Sequence, residues 1–195
     1  MKKLILFWLI GVFVMASSVV FAQEKALLGN GNMALKVDYI SFTDSDLEDA
    51  DVESGLYLGL EGFVEVAPKF YIGLEVGHTS IDSQGLFEID LFDTKVDVDL
   101  TYIPVEVNLK YAAELSPNLI IDFGGGISYN YAEIEVESVS KDEWLLGGQL
   151  FVDLNYTFDT FFSGINCKYQ LTEEGDDLEV NFDNWRIGGQ IGFRF

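Results

Sequence analysis

Trp185-Arg186-Ile187-Gly188-Gly189-Gln190-Ile191-Gly192-Phe193-Arg194-Phe195 is the stretch that decides the fold. Trp185, Ile187, Gly189, Ile191, Phe193 and Phe195 fall on one face of an extended chain. Arg186, Gly188, Gln190, Gly192 and Arg194 fall on the other. A period of two predicts a β-strand with one apolar and one polar face. The stretch ends on an aromatic residue.

The other end carries a second signal. Lys2 and Lys3 precede an apolar stretch from Leu4 to Met15, and Val20-Phe21-Ala22 fits a small-x-small cleavage site. This pattern predicts a signal peptide over residues 1–22, removed on export. The mature domain then spans residues 23–195. An uncleaved membrane anchor is the alternative, but the apolar run is near the short limit for a span.

Composition narrows the class. The formal charge of -22 becomes -24 without Lys2 and Lys3, which excludes nucleic acid as a partner. The single cysteine, Cys167, excludes an internal disulfide. Beyond residue 22 no apolar run reaches the length of a membrane-spanning helix. Nineteen glycines against three prolines suit many strands.

The same alternation recurs along the chain. Strands are predicted at about Ala34–Phe42, Gly55–Val66, Lys69–Ser80, Val96–Tyr111, Asn118–Tyr131, Trp144–Tyr156 and Phe161–Leu171, before the terminal one. Most are long enough to cross a bilayer at a tilt. The alternation of the fourth slips at Tyr102-Ile103: Val96, Val98, Leu100 and Tyr102 share a face, then Ile103, Val105, Val107, Leu109 and Tyr111 do. One extra residue beside Pro104 predicts a β-bulge there. The connections alternate between short and long, with long ones at Thr43–Glu53, Ile81–Lys95, Ala132–Glu143 and Thr172–Asp183. That is the rhythm of barrels with short periplasmic turns and long external loops.

Alternation does not say which face is inside, because a soluble barrel is apolar within. The charges decide. No Asp, Glu, Lys or Arg lies on the apolar faces, whereas the polar faces carry both signs. Lys36, Lys110, Lys168, Arg186 and Arg194 stand against Asp38, Glu61, Glu65, Glu75, Glu106, Asp122 and Asp153. A lipid-facing surface excludes charge because a midplane Lys or Arg costs about 2–4 kcal/mol. The predicted architecture is therefore an eight-stranded antiparallel transmembrane barrel with a polar, side-chain-filled lumen. Glu61, Glu106, Lys110, Asp122, Asp153, Lys168, Arg186 and Arg194 form its expected lumen network, with cross-lumen pairing. Tyr39, Tyr129, Tyr169 and Trp185 form an outer interfacial girdle, and Tyr111, Tyr156 and Phe195 an inner one.

In these features the chain resembles the small eight-stranded outer-membrane barrels of Gram-negative bacteria, the group of outer-membrane proteins X and W, the A-type transmembrane domain and the opacity-type adhesins. The resemblance rests on the signal peptide, the strand count, the segment from Tyr102 to Tyr111 and the terminal Phe193-Arg194-Phe195. It implies an outer-membrane location, a monomer, lipid and lipopolysaccharide neighbours, and recognition of the last strand by the barrel-assembly machinery. That group includes adhesins, small-solute pores and enzymes, so a structural or adhesive role through the loops stands beside a narrow channel and a lipid A hydrolase.

The long loops hold most of the acidic residues and only Lys95 and Lys141 of the basic ones. Asp44, Asp46, Glu48, Asp49, Asp51 and Glu53 cluster in the first, Glu173, Glu174, Asp176, Asp177, Glu179 and Asp183 in the last. Such oxygen-rich clusters suit Ca²⁺ or Mg²⁺, although the first lacks the glycine and terminal glutamate of an EF-hand loop. A hydrated acidic surface is the plainer reading. His78 and Ser80 share the lipid-side face with Asp82 nearby, resembling the His-x-Ser pair of lipid A deacylases. Here, however, the pair lies on the third strand and Ile81 follows it. An interfacial histidine, amphipathic like tyrosine, is the plainer reading. Gly124-Gly125-Gly126 and Gly188-Gly189 are not phosphate loops, since no helix follows them. No residue is assigned a catalytic, cofactor or metal-binding role.

Overall fold

A computed structural model describes residues 29–49, 52–89, 92–136, 139–175, 178 and 180–195. The expected signal peptide lies outside the described residues. The chain forms eight strands: β1 (Gly31–Phe42), β2 (Ser54–Ala67), β3 (Phe70–Ile89), β4 (Phe92–Ser116), β5 (Leu119–Val136), β6 (Val139–Phe158), β7 (Phe161–Thr172) and β8 (Asn184–Arg194). A single helical turn, α1 (Ser45–Asp49), sits between β1 and β2. Each strand pairs antiparallel with the next, and β8 closes on β1. Closure leaves no sheet edge within the bilayer, where backbone groups would have no water to bond.

The terminal segment pairs along its length with both neighbours. Ile187 lies opposite Tyr39 on β1 and Cys167 on β7. Leu35, Ile127, Leu150 and Ile165 are more exposed than not, on the outward face, while Lys36, Ser128, Gln149 and Asn166 are buried within. Leucine and isoleucine exposed in a continuous belt require an apolar solvent. Along the short-turn end, Lys69 and Asp159 take positive φ at the corners of two-residue turns.

The predicted bulge in β4 is absent. The β4–β5 register runs unbroken through Tyr102–Ala132, Ile103–Tyr131 and Pro104–Asn130. The β3–β4 register is also the same on both sides of Pro104, whose missing N–H merely interrupts the ladder between Val76–Val105 and Thr79–Tyr102. Val98, Leu100 and Tyr102 therefore face inward, and Ile103, Val107 and Leu109 face out. The physical reason is a change of environment along the strand. Below, the exterior is lipid and the lumen polar. Above, the exterior is aqueous and the lumen apolar. The two true irregularities lie at Glu65–Ala67 and Glu114–Ser116, beside periplasmic turns.

Two of the expected long loops are also mostly strand. β3 and β4 remain paired to Ile89–Phe92, and β5 and β6 to Val136–Val139. Four strands thus continue beyond the outer aromatic girdle as a standing sheet, on the side opposite the shorter β7, β8 and β1.

Small residues let the lumen close around large ones. A Cβ at Gly77 would run into the ring of Tyr57, and one at Gly124 into that of Phe151. Tyr57 is fully buried, so it has nowhere to move. Gly77→Ala should cost about 1–3 kcal/mol by overpacking. Gly189 faces lipid, and a Cβ there meets only a carbonyl oxygen at 3.6 Å. Gly189→Ala should leave stability within roughly 0.5 kcal/mol. Urea unfolding in lipid vesicles measures both.

Candidate functional site

The lumen is built in three layers, and strand register creates the middle one. Glu61, Glu75 and Glu106 are direct neighbours on β2, β3 and β4. Lys168 and Arg186 are direct neighbours on β7 and β8, across the lumen from them. The acidic row thus meets a basic one. Lys168 bridges Glu75 at 2.6 Å and Glu106 at 2.5 Å. Arg186 reaches Glu106 at 2.5 Å and Glu75 at 3.5 Å. Lys36, from β1, reaches Glu61 at 2.9 Å and Glu75 at 3.3 Å. The Tyr57 hydroxyl donates to Glu75 at 2.8 Å, and the Arg186 guanidinium lies 4.4 Å over the Tyr57 ring. All these groups are buried. Each of these buried ions is paired with at least one of opposite charge, which offsets the cost of taking it from water.

Amides extend the layer. Gln149 donates to Asn108 at 2.7 Å and Asn108 to Glu106 at 3.1 Å. Gln170 receives the Tyr102 hydroxyl at 3.0 Å and donates to Ser128 at 2.8 Å. Lys110 forms a separate pair with Asp122 at 3.0 Å, its ammonium 4.0 Å over the Phe63 ring. Asp153 stands apart. It lies between Asp122 and Asn166 in register, and neither of its oxygens has a hydrogen-bond partner.

The lower layer is the periplasmic floor. Phe63, Tyr71, Ala112, Ile120 and Phe151 pack together beneath the ions. Arg194 is only partly buried there. It lines a cavity of about 20 Å³ with Lys110, Asp122 and Asn155, room for about one water molecule.

The upper layer is an apolar cap. Leu47 of α1, Val52, Val180 and Phe182 reach down onto Ile40, Phe42, Leu100, Tyr102 and Leu145. Phe182 stacks on Tyr102 at 5.7 Å and meets Phe42 edge-on at 5.8 Å. The β1–β2 and β7–β8 loops are tied to each other above it. Thr43 N–H donates to the Asp183 carbonyl at 2.8 Å, and Asn181 N–H to an Asp44 carboxylate oxygen at 3.2 Å. The Asp183 side chain accepts from Thr172 N–H at 2.6 Å. Some of the acidic loop residues are thus structural acceptors.

The remaining predicted residues fall as follows. Glu61, Glu106, Lys168 and Arg186 meet in the middle layer, Lys110 and Asp122 in the pair below, and Arg194 at the mouth. Lys36 and Glu75 were missing from the expected network although their alternation places them on the polar face. Tyr39, Tyr111, Tyr129, Tyr156, Tyr169, Trp185 and Phe195 are exposed on the outward face. Tyr39 packs on Trp185 at 5.8 Å, and Tyr129 stacks on Trp144, a girdle member not expected, at 4.7 Å. Glu65 is exposed near a periplasmic turn, outside the lumen. His78 and Ser80 are exposed on the outward face, as is Asp82, and among the described residues no hydrogen bond links them. Among the described residues no group of three His, Cys, Asp or Glu side chains is placed to hold a metal ion.

An apolar belt, aromatic girdles at both rims and a closed eight-stranded sheet define an integral β-barrel of the outer-membrane type. Solved structures with the same fold include Neisserial surface protein A, at 9% identity and a TM-score of 0.62, covering 85% of this chain and 97% of that one. The N-terminal β-barrel domain of Pseudomonas aeruginosa OprF matches at 14% identity and a TM-score of 0.54, covering 86% and 99%. The outer-membrane protein OprG of Pseudomonas aeruginosa matches at 17% and 0.54, covering 86% and 98%. No family model matches the chain, and no curated protein matches its sequence. The chain is an eight-stranded barrel of the outer-membrane type, alike in fold to these proteins.

Proposed function

We propose that the protein is a non-enzymatic surface-contact barrel, closed to solutes, that acts through the acidic structures it raises above the outer membrane. The observation that carries this reading is the double closure of the lumen. A paired ionic layer fills its middle, and an apolar cap led by Phe182 fills its outer mouth. Four strands meanwhile rise above the girdle, where they serve no span. Lipid and lipopolysaccharide surround the girdles. Divalent cations between external carboxylates and lipopolysaccharide phosphates belong to this reading, as does recognition of Phe193-Arg194-Phe195 during assembly.

Three measurements test it. Planar-bilayer recordings of the purified barrel should show no steady conductance; large porin-like currents would make it a channel instead. Replacing residues 43–53, 81–95 and 173–183 with short turns should abolish surface binding while the barrel still migrates as a folded species in unboiled SDS gels. Lipid A profiles from cells with and without the protein should be identical. A changed acylation pattern would revive His78 and Ser80 as a catalytic pair.

A further inference from the structure

The standing sheet has two edges, and they are treated differently. β2 begins at Ser54, and its ladder with β3 ends at the Tyr57–Thr79 pair. β3 runs on to Ile89, still paired with β4 on its other side. From Ser83 to Ile89 its backbone therefore has a strand on one side only, among the described residues. At the other edge, the β7–β8 loop covers β6. Leu146 N–H donates to the Glu173 carboxylate at 2.8 Å, and Glu173 N–H to the Leu146 carbonyl at 2.9 Å. Leu178 N–H donates to Glu143 at 3.4 Å. That edge is tied down at Leu146 and Glu143, whereas β3 from Ser83 to Ile89 has no second strand among the described residues. An open edge offers a row of backbone donors and acceptors to an added strand.

The sheet face beside that edge is acidic. Asp82, Asp99 and Glu135 lie directly opposite one another on β3, β4 and β5, all exposed on the outward face. The fourth position of the row, on β6, is Ser140, so among the described residues no basic side chain stands in register with it. Like charges set opposite one another across a sheet repel. A strand added to β3 with Lys or Arg at alternate positions would put cations on this face, beside the row.

We propose that the open edge of β3 receives an extended cationic peptide segment of another protein as an added β-strand, held by backbone pairing and by the Asp82–Asp99–Glu135 row. This rests on the surface-contact reading and names its partner chemistry.

The test uses the full barrel in phosphatidylcholine vesicles and three labelled synthetic peptides. The probe alternates Lys and Val. One reference replaces each Lys with Thr. The other keeps every Lys but carries N-methyl groups on all its backbone amides. The probe should bind, more weakly as salt rises. Both references should bind at least about tenfold more weakly, since one lacks steering charge and the other lacks donors. The triple variant Asp82→Asn, Asp99→Asn, Glu135→Gln should lower probe affinity to the level of the Thr peptide. Its SDS-gel migration should not change, because all three residues are exposed. Equal binding of the methylated peptide would mean diffuse charge attraction and overturn the added strand. Equal binding of the Thr peptide, or an unchanged triple variant, would overturn the charge assignment. Dimerisation of the barrel through this edge in sedimentation experiments would make a second copy the occupant, which also overturns the proposal. If the peptides fail while the trimmed-loop barrel still loses surface binding, only this inference falls. If that barrel keeps its binding, the surface-contact reading falls.

Discussion

Glu106→Gln should destabilise the folded barrel by about 3–5 kcal/mol, the cost of breaking a buried ion pair by removing one partner. Glu106 is 0% exposed and accepts from Lys168, Arg186 and Asn108. Glutamine keeps nearly the same volume, so packing changes little and the electrostatic part is isolated. Lys168 and Arg186 would then share Glu75 alone, which also serves Lys36. The free energy to compare is that of urea-dependent unfolding in lipid vesicles. Glu135→Gln, on the exposed outer sheet, is the reference and should stay within roughly 0.5 kcal/mol. If Glu106→Gln fell in that same range, water would have to reach the middle layer, and the closed-lumen reading would fail with it.

How far the sequence carried the fold shows best in β4. Its alternation correctly identifies a long strand, and its composition correctly separates faces below Pro104. What alternation lacks is any label for the medium each face meets. Val98, Leu100 and Tyr102 look the same in sequence whether they meet lipid or an apolar cap. One signal pointed to the second reading: Val98, Leu100 and Tyr102 share their parity with Glu106, Asn108 and Lys110, so an unbroken strand puts them on the luminal face. Likewise Asp82 and Glu135 read as loop residues by charge, although Ile81 and Ile134 beside them keep the period of two. Above the membrane the strands follow the rule of a soluble barrel, apolar within and charged without.

The ionic layer was legible in kind and not in partnership. Period two puts Glu61, Glu106, Lys168 and Arg186 on the inner face from sequence alone. It puts Lys36 and Glu75 there equally. Which of them meet depends on strand register, because Glu75 becomes the hub only when β2, β3 and β4 align it between Glu61 and Glu106. Register depends on the turns and on the two irregularities beside them, which single-strand patterns do not encode. Asp153 shows the same limit. It was expected to pair with the lumen cations, and its register sets it beside Asp122 and Asn166 instead. The cap was not legible at all, since Val180 and Phe182 lie in a segment whose acidic residues suggested a solvated loop.

Leu150→Arg tests the face assignment on which all of this stands. Leu150 is 72% exposed and lies midway along β6 between the rim residues Trp144 and Tyr156. Only in lipid is that position at home. An arginine there should cost about 2–4 kcal/mol near the midplane, less if the side chain snorkels toward a rim. Its sequence neighbour Gln149 is 4% exposed and points into the lumen beside Asn108. Gln149→Arg should cost less than Leu150→Arg, because the lumen around it holds more carboxylates than cations: Asp38, Glu61, Glu75, Glu106, Asp122 and Asp153 against Lys36, Lys110, Lys168 and Arg186. Both are read from urea unfolding in vesicles of one lipid composition. A harmless Leu150→Arg with a damaging Gln149→Arg would put the polar face outside. The exposed leucines and isoleucines would then have no solvent to explain them, and the barrel would have to be turned inside out.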